Sequence, residues 1–161
     1  MRLKTRRGRG KLCVLDGLVF ENIKMDGVQT PFVINMFYNC GEGGQTEYVW
    51  SRKALPVDEN TPYIGSITFK NVDCVNAKCI AGFFDGLPEN PIGSVRLENV
   101  RVHFSENAQA TFPASQTPRR DFCRAGLYFD NVDEIVLQGV ALQNVIGEEL
   151  IVKKHKSFCQ K

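Results

Sequence analysis

Four stretches decide the fold: LVFENIKM (18–25), ITFKNVDC (67–74), VRLENVRV (95–102) and IVLQGVAL (135–142). Each reads apolar, any, apolar, any, Asn or Gly, apolar, any, apolar, with Asn22, Asn71, Asn99 and Gly139 at the fifth position. Alternation with a period of two is strand patterning, in which every second side chain shares a face. The apolar set keeps one face across the fifth position only if the chain bends there. Asn and Gly are the residues that tolerate the left-handed backbone such a bend requires. Each unit therefore predicts strand, one-residue corner, strand. A partial copy, LYFDNVD, places Asn131 similarly.

A further apolar run follows each unit: PFVINMFY (31–38), CIAGFFDG (79–86), AGLYFD (125–130) and ELIVK (149–153). The fifth positions are 49, 28 and 40 residues apart. The shortest spacing suits one circuit of chain with modest turns. The longer two are accounted for by the segments 39–63 and 105–123, both rich in turn formers and polar residues, where insertions are tolerated. No amphipathic helix is evident, and Val, Ile and Phe dominate the patterned segments. The expected fold is all-β, a right-handed single-stranded parallel β-helix of about three to four coils, open at its N-terminal end, with residues 1–161 as one domain. An antiparallel sandwich is the competing architecture, but the units share one internal pattern and few two-residue hairpin turns lie between them.

Composition agrees with a globular chain: 43% of the 161 residues are apolar and 24% charged, which excludes wholesale disorder. A chain of this length buries roughly 70% of its unfolded surface, enough for a true core. No apolar run approaches the roughly 18 residues of a spanning helix, so no membrane partner is expected. The start, MRLKTRRGRGK, lacks the apolar stretch of a secretory signal. The net charge of +2 conceals an asymmetry, because Arg2, Lys4, Arg6, Arg7, Arg9 and Lys11 precede the first acidic residue, Asp16. Without them, 14 basic residues face 18 acidic ones. Such a cluster suits phosphate, an acidic membrane or an acidic sugar, or is a solvated basic leader. The remainder carries no basic stripe interleaved with aromatics, so no nucleic-acid partner is expected. Cys13, Cys40, Cys74, Cys79, Cys123 and Cys159 form no CxxC pair, which argues against zinc. Buried free thiols are the favoured state, with one or two bridges the alternative; Cys74 shares its unit position with Met25, Val102 and Leu142 and should be buried.

RLKTRRGRG resembles the Arg-Ile-Lys motif of glycoside hydrolase family 28, the polygalacturonases, with Leu3 in the middle place. TPFVINMFYNCG, EYVWSRKALPVDENTPYIGSITFKN, AGFFDGLPENPI and CRAGLYFDNV look like the C-terminal half of the bacterial exo-acting branch. The resemblance implies a right-handed parallel β-helix, hydrolysis of α-1,4-galacturonide bonds of pectin with inversion, and an acidic pectin oligosaccharide as partner. Inverting chemistry needs carboxylates spaced to admit water, and no metal or organic cofactor. The family's Asn-Thr-Asp, Asp-Asp and Gly-His-Gly stretches, which precede the Arg-Ile-Lys motif, have no counterpart here. The expectation is therefore a C-terminal fragment without catalytic residues, inactive alone, or a non-catalytic acidic-polysaccharide-binding or vestigial module. The resemblance implies that Arg2 and Lys4 bind the sugar on the leaving-group side, and that Tyr38 lines the cleft. Residues two apart on a strand share a face, so Arg2 and Lys4 would pair with one substrate carboxylate.

Other residues carry plainer expectations. Arg6, Arg7 and Arg9 extend the basic rim or form a solvated turn. Asp58 and Glu59 are loop charges, and Asp85 serves a turn. Tyr48 and Trp50 stack on a sugar or pack the loop, and His103 is structural. Asp26 and Asp85 are the carboxylates to suspect should the chain prove active. The open first coil predicts self-association through exposed strand edge.

Overall fold

The computed structural model describes residues 1–114 and 116–161. The chain is all-β, and every pairing between its named strands is parallel, which removes the antiparallel sandwich. Its elements are β1 (Arg2–Lys4), β2 (Val14–Leu15), β3 (Leu18–Asp26), β4 (Phe32–Asn35), the helical turn α1 (Glu47–Trp50), β5 (Tyr63–Ile64), β6 (Ser66–Ala77), β7 (Ile80–Asp85), β8 (Ile92–Phe104), β9 (Ala125–Asp130), β10 (Val132–Gln143), β11 (Leu150–Val152) and β12 (Ser157–Gln160). One five-stranded sheet runs β1-β4-β7-β9-β11, a second runs β3-β6-β8-β10-β12, and β2 pairs with β5. The chain thus visits the two large sheets in turn and lays each new strand beside the previous one.

The four repeats are β3, β6, β8 and β10, aligned as the pattern requires. Phe20, Phe69, Leu97 and Leu137 form one row, and Met25, Cys74, Val102 and Leu142 another. Asn22, Asn71, Asn99 and Gly139 all have positive φ, at 59°, 52°, 50° and 61°. The left-handed bend turns the strand while its apolar set stays inside. The amides also form a ladder: Asn71 Nδ2 donates to Asn22 Oδ1 (3.1 Å) and Asn99 Nδ2 to Asn71 Oδ1 (2.9 Å). Asn131 has positive φ too (53°), but it sits between β9 and β10, at the passage from one sheet to the other, and not at a mid-strand bend.

The apolar runs after the repeats are β4, β7, β9 and β11. Their pleat sends Ile34, Phe84 and Phe129 into the main core, with Leu3 and Val152 packed against it. Phe84 and Phe129 stack with ring centroids 4.7 Å apart. The facing row Val33, Phe83, Tyr128 and Ile151 belongs to a second apolar cluster, which Phe122 of the 105–123 loop covers. That row is buried because a loop folds over a face that would otherwise be wet.

Three features depart from the sequence reading. β12 adds a fifth strand beyond the last repeat; it is short and exposed, so hydrophobic periodicity does not reveal it. The 39–63 segment contains a helical turn where no helix is expected. The six cysteines are free, but only Cys74 and Cys79 are buried, while Cys40 and Cys159 are exposed. Burial pushes the Cys74 and Cys79 thiols up to about 11.

Candidate functional site

β1 is held to β4 by backbone bonds from Val33 N–H to the Met1 carbonyl and from Thr5 N–H to the Asn35 carbonyl, both 3.0 Å. The Met1 ammonium donates to the Pro31 carbonyl (2.6 Å). Burial, and then the charge of Arg2, lower the pKa of that ammonium. Leu3 packs on the core, so the pleat turns both Arg2 and Lys4 outward, and both are exposed. Neither has an acidic partner among the described residues.

The chain beyond β1 and the chain beyond β4 then run side by side. Arg6 bridges Phe37 in antiparallel sense, and Tyr38 N–H donates to the Thr5 carbonyl (3.1 Å). This brings the Tyr38 ring under Lys4, whose Nζ lies 4.1 Å from the ring centroid. An exposed contact of this kind contributes about 0.5–1 kcal/mol and fixes where the ammonium points. Lys4 and Tyr38 are therefore together. Arg2 shares their face but borders a different hollow of about 330 Å³, beside Val28, Thr30 and Val33.

Arg6 and Arg7 correct the expectation of a basic rim or a solvated turn: both are buried, although Arg9 is exposed. Arg7 places Nε and Nη2 on the two Glu89 oxygens (2.6 and 2.8 Å). Its Nη1 donates to the Tyr48 and Ser51 carbonyls (3.0 and 2.7 Å) at the end of α1. The side chains are 1% and 4% exposed, so this pair joins the 39–63 loop to the β7–β8 connection and offers nothing to a ligand. Arg6 donates to the Cys40 and Glu42 carbonyls (2.5 and 2.8 Å). Glu89 is 82 positions from Arg7, and no local spacing announces the pair.

Asp85 is likewise more than a turn residue. It ends β7 at 1% exposure, and both oxygens take bonds from Arg52 Nη1 (2.7 and 2.9 Å). The Arg52 guanidinium lies 3.7 Å from the Phe37 ring centroid, and its Nη2 donates to the Thr117 carbonyl. One side chain thus clamps both long loops to the sheet. Burial raises the Asp85 carboxyl to about 6, against the opposing pull of Arg52.

Asp85 stands in register with Asn35 on one side and Asp130 on the other. Asn35 stands in register with Lys4, and Lys153 follows β11 directly, its N–H on the Phe129 carbonyl (2.9 Å). Lys4, Asn35, Asp85, Asp130 and Lys153 therefore form one polar row along the sheet. Asp130 Oδ2 meets the Tyr128 hydroxyl at 3.3 Å and Lys153 Nζ at 3.8 Å. Tyr128 beside it raises the Lys153 ammonium, and burial raises the Tyr128 hydroxyl. The row was legible: RLK, FVIN, GFFD, LYFD and LIVK each run apolar and then polar at the same register.

The remaining candidates are ordinary. Asp58 Oδ1 accepts the Asn60 N–H (2.8 Å), and Glu59 pairs with Lys11 in solvent (2.6 Å). Tyr48 and Trp50 belong to α1 and are partly exposed, with Trp50 Nε1 on the Gly44 carbonyl (3.1 Å). His103 is exposed on β8, and Asp26 accepts from Asn76 Nδ2 (2.8 Å). A hollow of about 700 Å³ beside Gly27, Gln29 and Ser105 has Lys78 as the one charged residue among its described lining. No group of three or more His, Cys, Asp or Glu suited to a metal occurs among the described residues. No protein-family model, curated protein or solved structure matches the chain.

Proposed function

We propose that this chain carries the basic, leaving-group-side subsite of a polygalacturonase-like glycosidase acting on α-1,4-galacturonide bonds with inversion. Its framework is the right-handed single-stranded parallel β-helix of about three to four coils that the repeats imply. The alternation of strands between two parallel sheets supports that architecture, since parallel neighbours need crossover connections. Arg2, Lys4 and Tyr38 bind an acidic pectin oligosaccharide; the guanidinium and ammonium hold one uronate carboxylate between them.

The observation that carries this reading is the Lys4 ammonium seated over Tyr38, with Arg2 exposed on the same strand face and neither cation paired with an acid among the described residues. The aspartates that would protonate the leaving oxygen and activate water have no counterpart in the sequence, so the chain by itself binds and does not cleave. That lack also favours a second reading, a non-catalytic acidic-polysaccharide-binding module.

Calorimetry with oligogalacturonates, paired with reducing-end release, tests both. Binding of about millimolar strength, roughly −4 kcal/mol, is expected. It should weaken at least tenfold in the Arg2→Ala, Lys4→Ala double variant. Inverting hydrolysis by the pure chain would overturn the inactivity, and binding unchanged in the double variant would overturn the subsite. Both substituted residues are exposed, so the fold is not at stake.

A further inference from the structure

A second hollow, of about 360 Å³, lies over β7 and β9 and is walled by both long loops. Its lining includes Arg52, Asp85, Arg120, Asp130, Lys153 and Lys154. We propose that it is a binding pocket for a small hydroxy-carboxylate, separate from the Arg2, Lys4 and Tyr38 patch.

Charge selects the ligand. Each acid in the wall is already answered: Asp85 takes both bonds from Arg52, and Asp130 meets Lys153 and the Tyr128 hydroxyl. Arg120 and Lys154 have no acidic partner among the described residues. They leave the wall two positive charges in excess. Arg120 is placed from two sides: its N–H donates to the buried Gln116 Oε1 (2.7 Å), and its guanidinium lies 5.0 Å from the Phe122 ring centroid. Arg120 and Lys154 line the same hollow, and a guanidinium and an ammonium facing one space can share a single carboxylate.

Polarity then sets the rest of the ligand. The Asp130 oxygens and the Tyr128 hydroxyl, paired with each other at 3.3 Å, offer hydroxyl-binding positions beside the cations. A cavity at the lower end of the range for small-molecule sites holds one sugar-sized acid. Neither Lys4 nor Tyr38 lines it, and β1 and β9 are three strand positions apart, about 14 Å. The inference does not rest on the glycosidase reading.

NMR titration of the whole chain with D-glucuronate, D-glucose and acetate tests it. Glucuronate should shift the amides of Tyr128, Asp130 and Lys153 saturably, glucose should not, and acetate should bind at least tenfold more weakly. The exposed pair Arg120→Ala, Lys154→Ala should weaken glucuronate at least tenfold, while Arg2→Ala, Lys4→Ala leaves these shifts unchanged. No saturable shift, equal shifts from acetate, or loss in the Arg2, Lys4 variant would overturn the pocket. Diglucuronate separates the sources of such a ligand: tighter binding than the monomer identifies a chain end, and weaker binding a free acid. If oligogalacturonate binding ignores Arg2 and Lys4 while the glucuronate shifts persist, the glycosidase reading fails and the pocket stands.

Discussion

Removing Arg52 should destabilise the protein far more at pH 8 than at pH 5. Asp85 is 1% exposed and its carboxyl titrates at about 6, against 3.8 for the free group. A carboxyl whose folded pKa is raised favours the protonated native state. Its contribution is complete below about pH 4 and is lost as pH rises through about 6, a change of about 3 kcal/mol. The wild-type protein bears that cost with Arg52 present. In Arg52→Ala no guanidinium answers the carboxylate, the pKa climbs further, and the loss continues above pH 6.

At pH 5 Asp85 is mostly neutral in both proteins, so the variant forfeits only the packing on Phe37 and the bond to Thr117, about 1–2 kcal/mol. At pH 8 breaking the pair leaves a buried charge, which costs about 3–5 kcal/mol in the fully buried case. Arg52 is 39% exposed, and solvent screening brings the figure to about 2–4 kcal/mol. Urea unfolding followed by circular dichroism at both pH values reads the difference. Asp85→Asn supplies the control, because Arg52→Ala in that background should show no pH dependence. Equal destabilisation at pH 5 and pH 8 would refute the reasoning.

Arg7→Ala should cost about 3–5 kcal/mol, because it strands Glu89 at 4% exposure, whereas Lys11→Ala, at a solvent-exposed pair, should cost about 0–1 kcal/mol; thermal melts compare them. Asn71→Ala should lose about 2–3 kcal/mol from the left-handed backbone and the amide ladder together, and Asn71→Gly only about 1 kcal/mol, since glycine keeps the bend; chemical unfolding that ranks them equally would remove the bend as the cause. We also propose self-association through the β1 and β3 side, where Leu18, Phe20, Ile23 and Met25 are half-buried although their register partners on β6 are fully buried or nearly so. Sedimentation velocity should show concentration-dependent assembly, and a clean monomer at high concentration would count against it.

Period-two alternation with one bend residue was enough to align β3, β6, β8 and β10, because side-chain direction in a strand follows from position alone. The same rule turned Arg2 and Lys4 to one face. Long-range pairing was out of reach. Arg7 meets Glu89 across 82 positions and Arg52 meets Asp85 across 33, and pairings at such separations are not written in periodicity. Arg6, Arg7 and Arg9 therefore read alike, as a basic rim or a solvated turn, although Arg6 and Arg7 are buried and Arg9 is exposed. β12 was invisible for the opposite reason: four exposed residues bury too little to leave a pattern.

The amide ladder has an arithmetic of its own. From Asn71 to Asn99 the chain needs only 28 residues to return to the same row, and the next amide donates to the last. Duplicating that segment in frame would insert one strand into each large sheet, lengthen the molecule by about 4.8 Å, and supply its own donor and acceptor. Gly139 aligns with these asparagines but brings no side chain, so the amide series stops at Asn99 while the backbone bend carries on. Each further repeat of that segment accordingly adds one strand spacing, whether an asparagine or a glycine makes the bend.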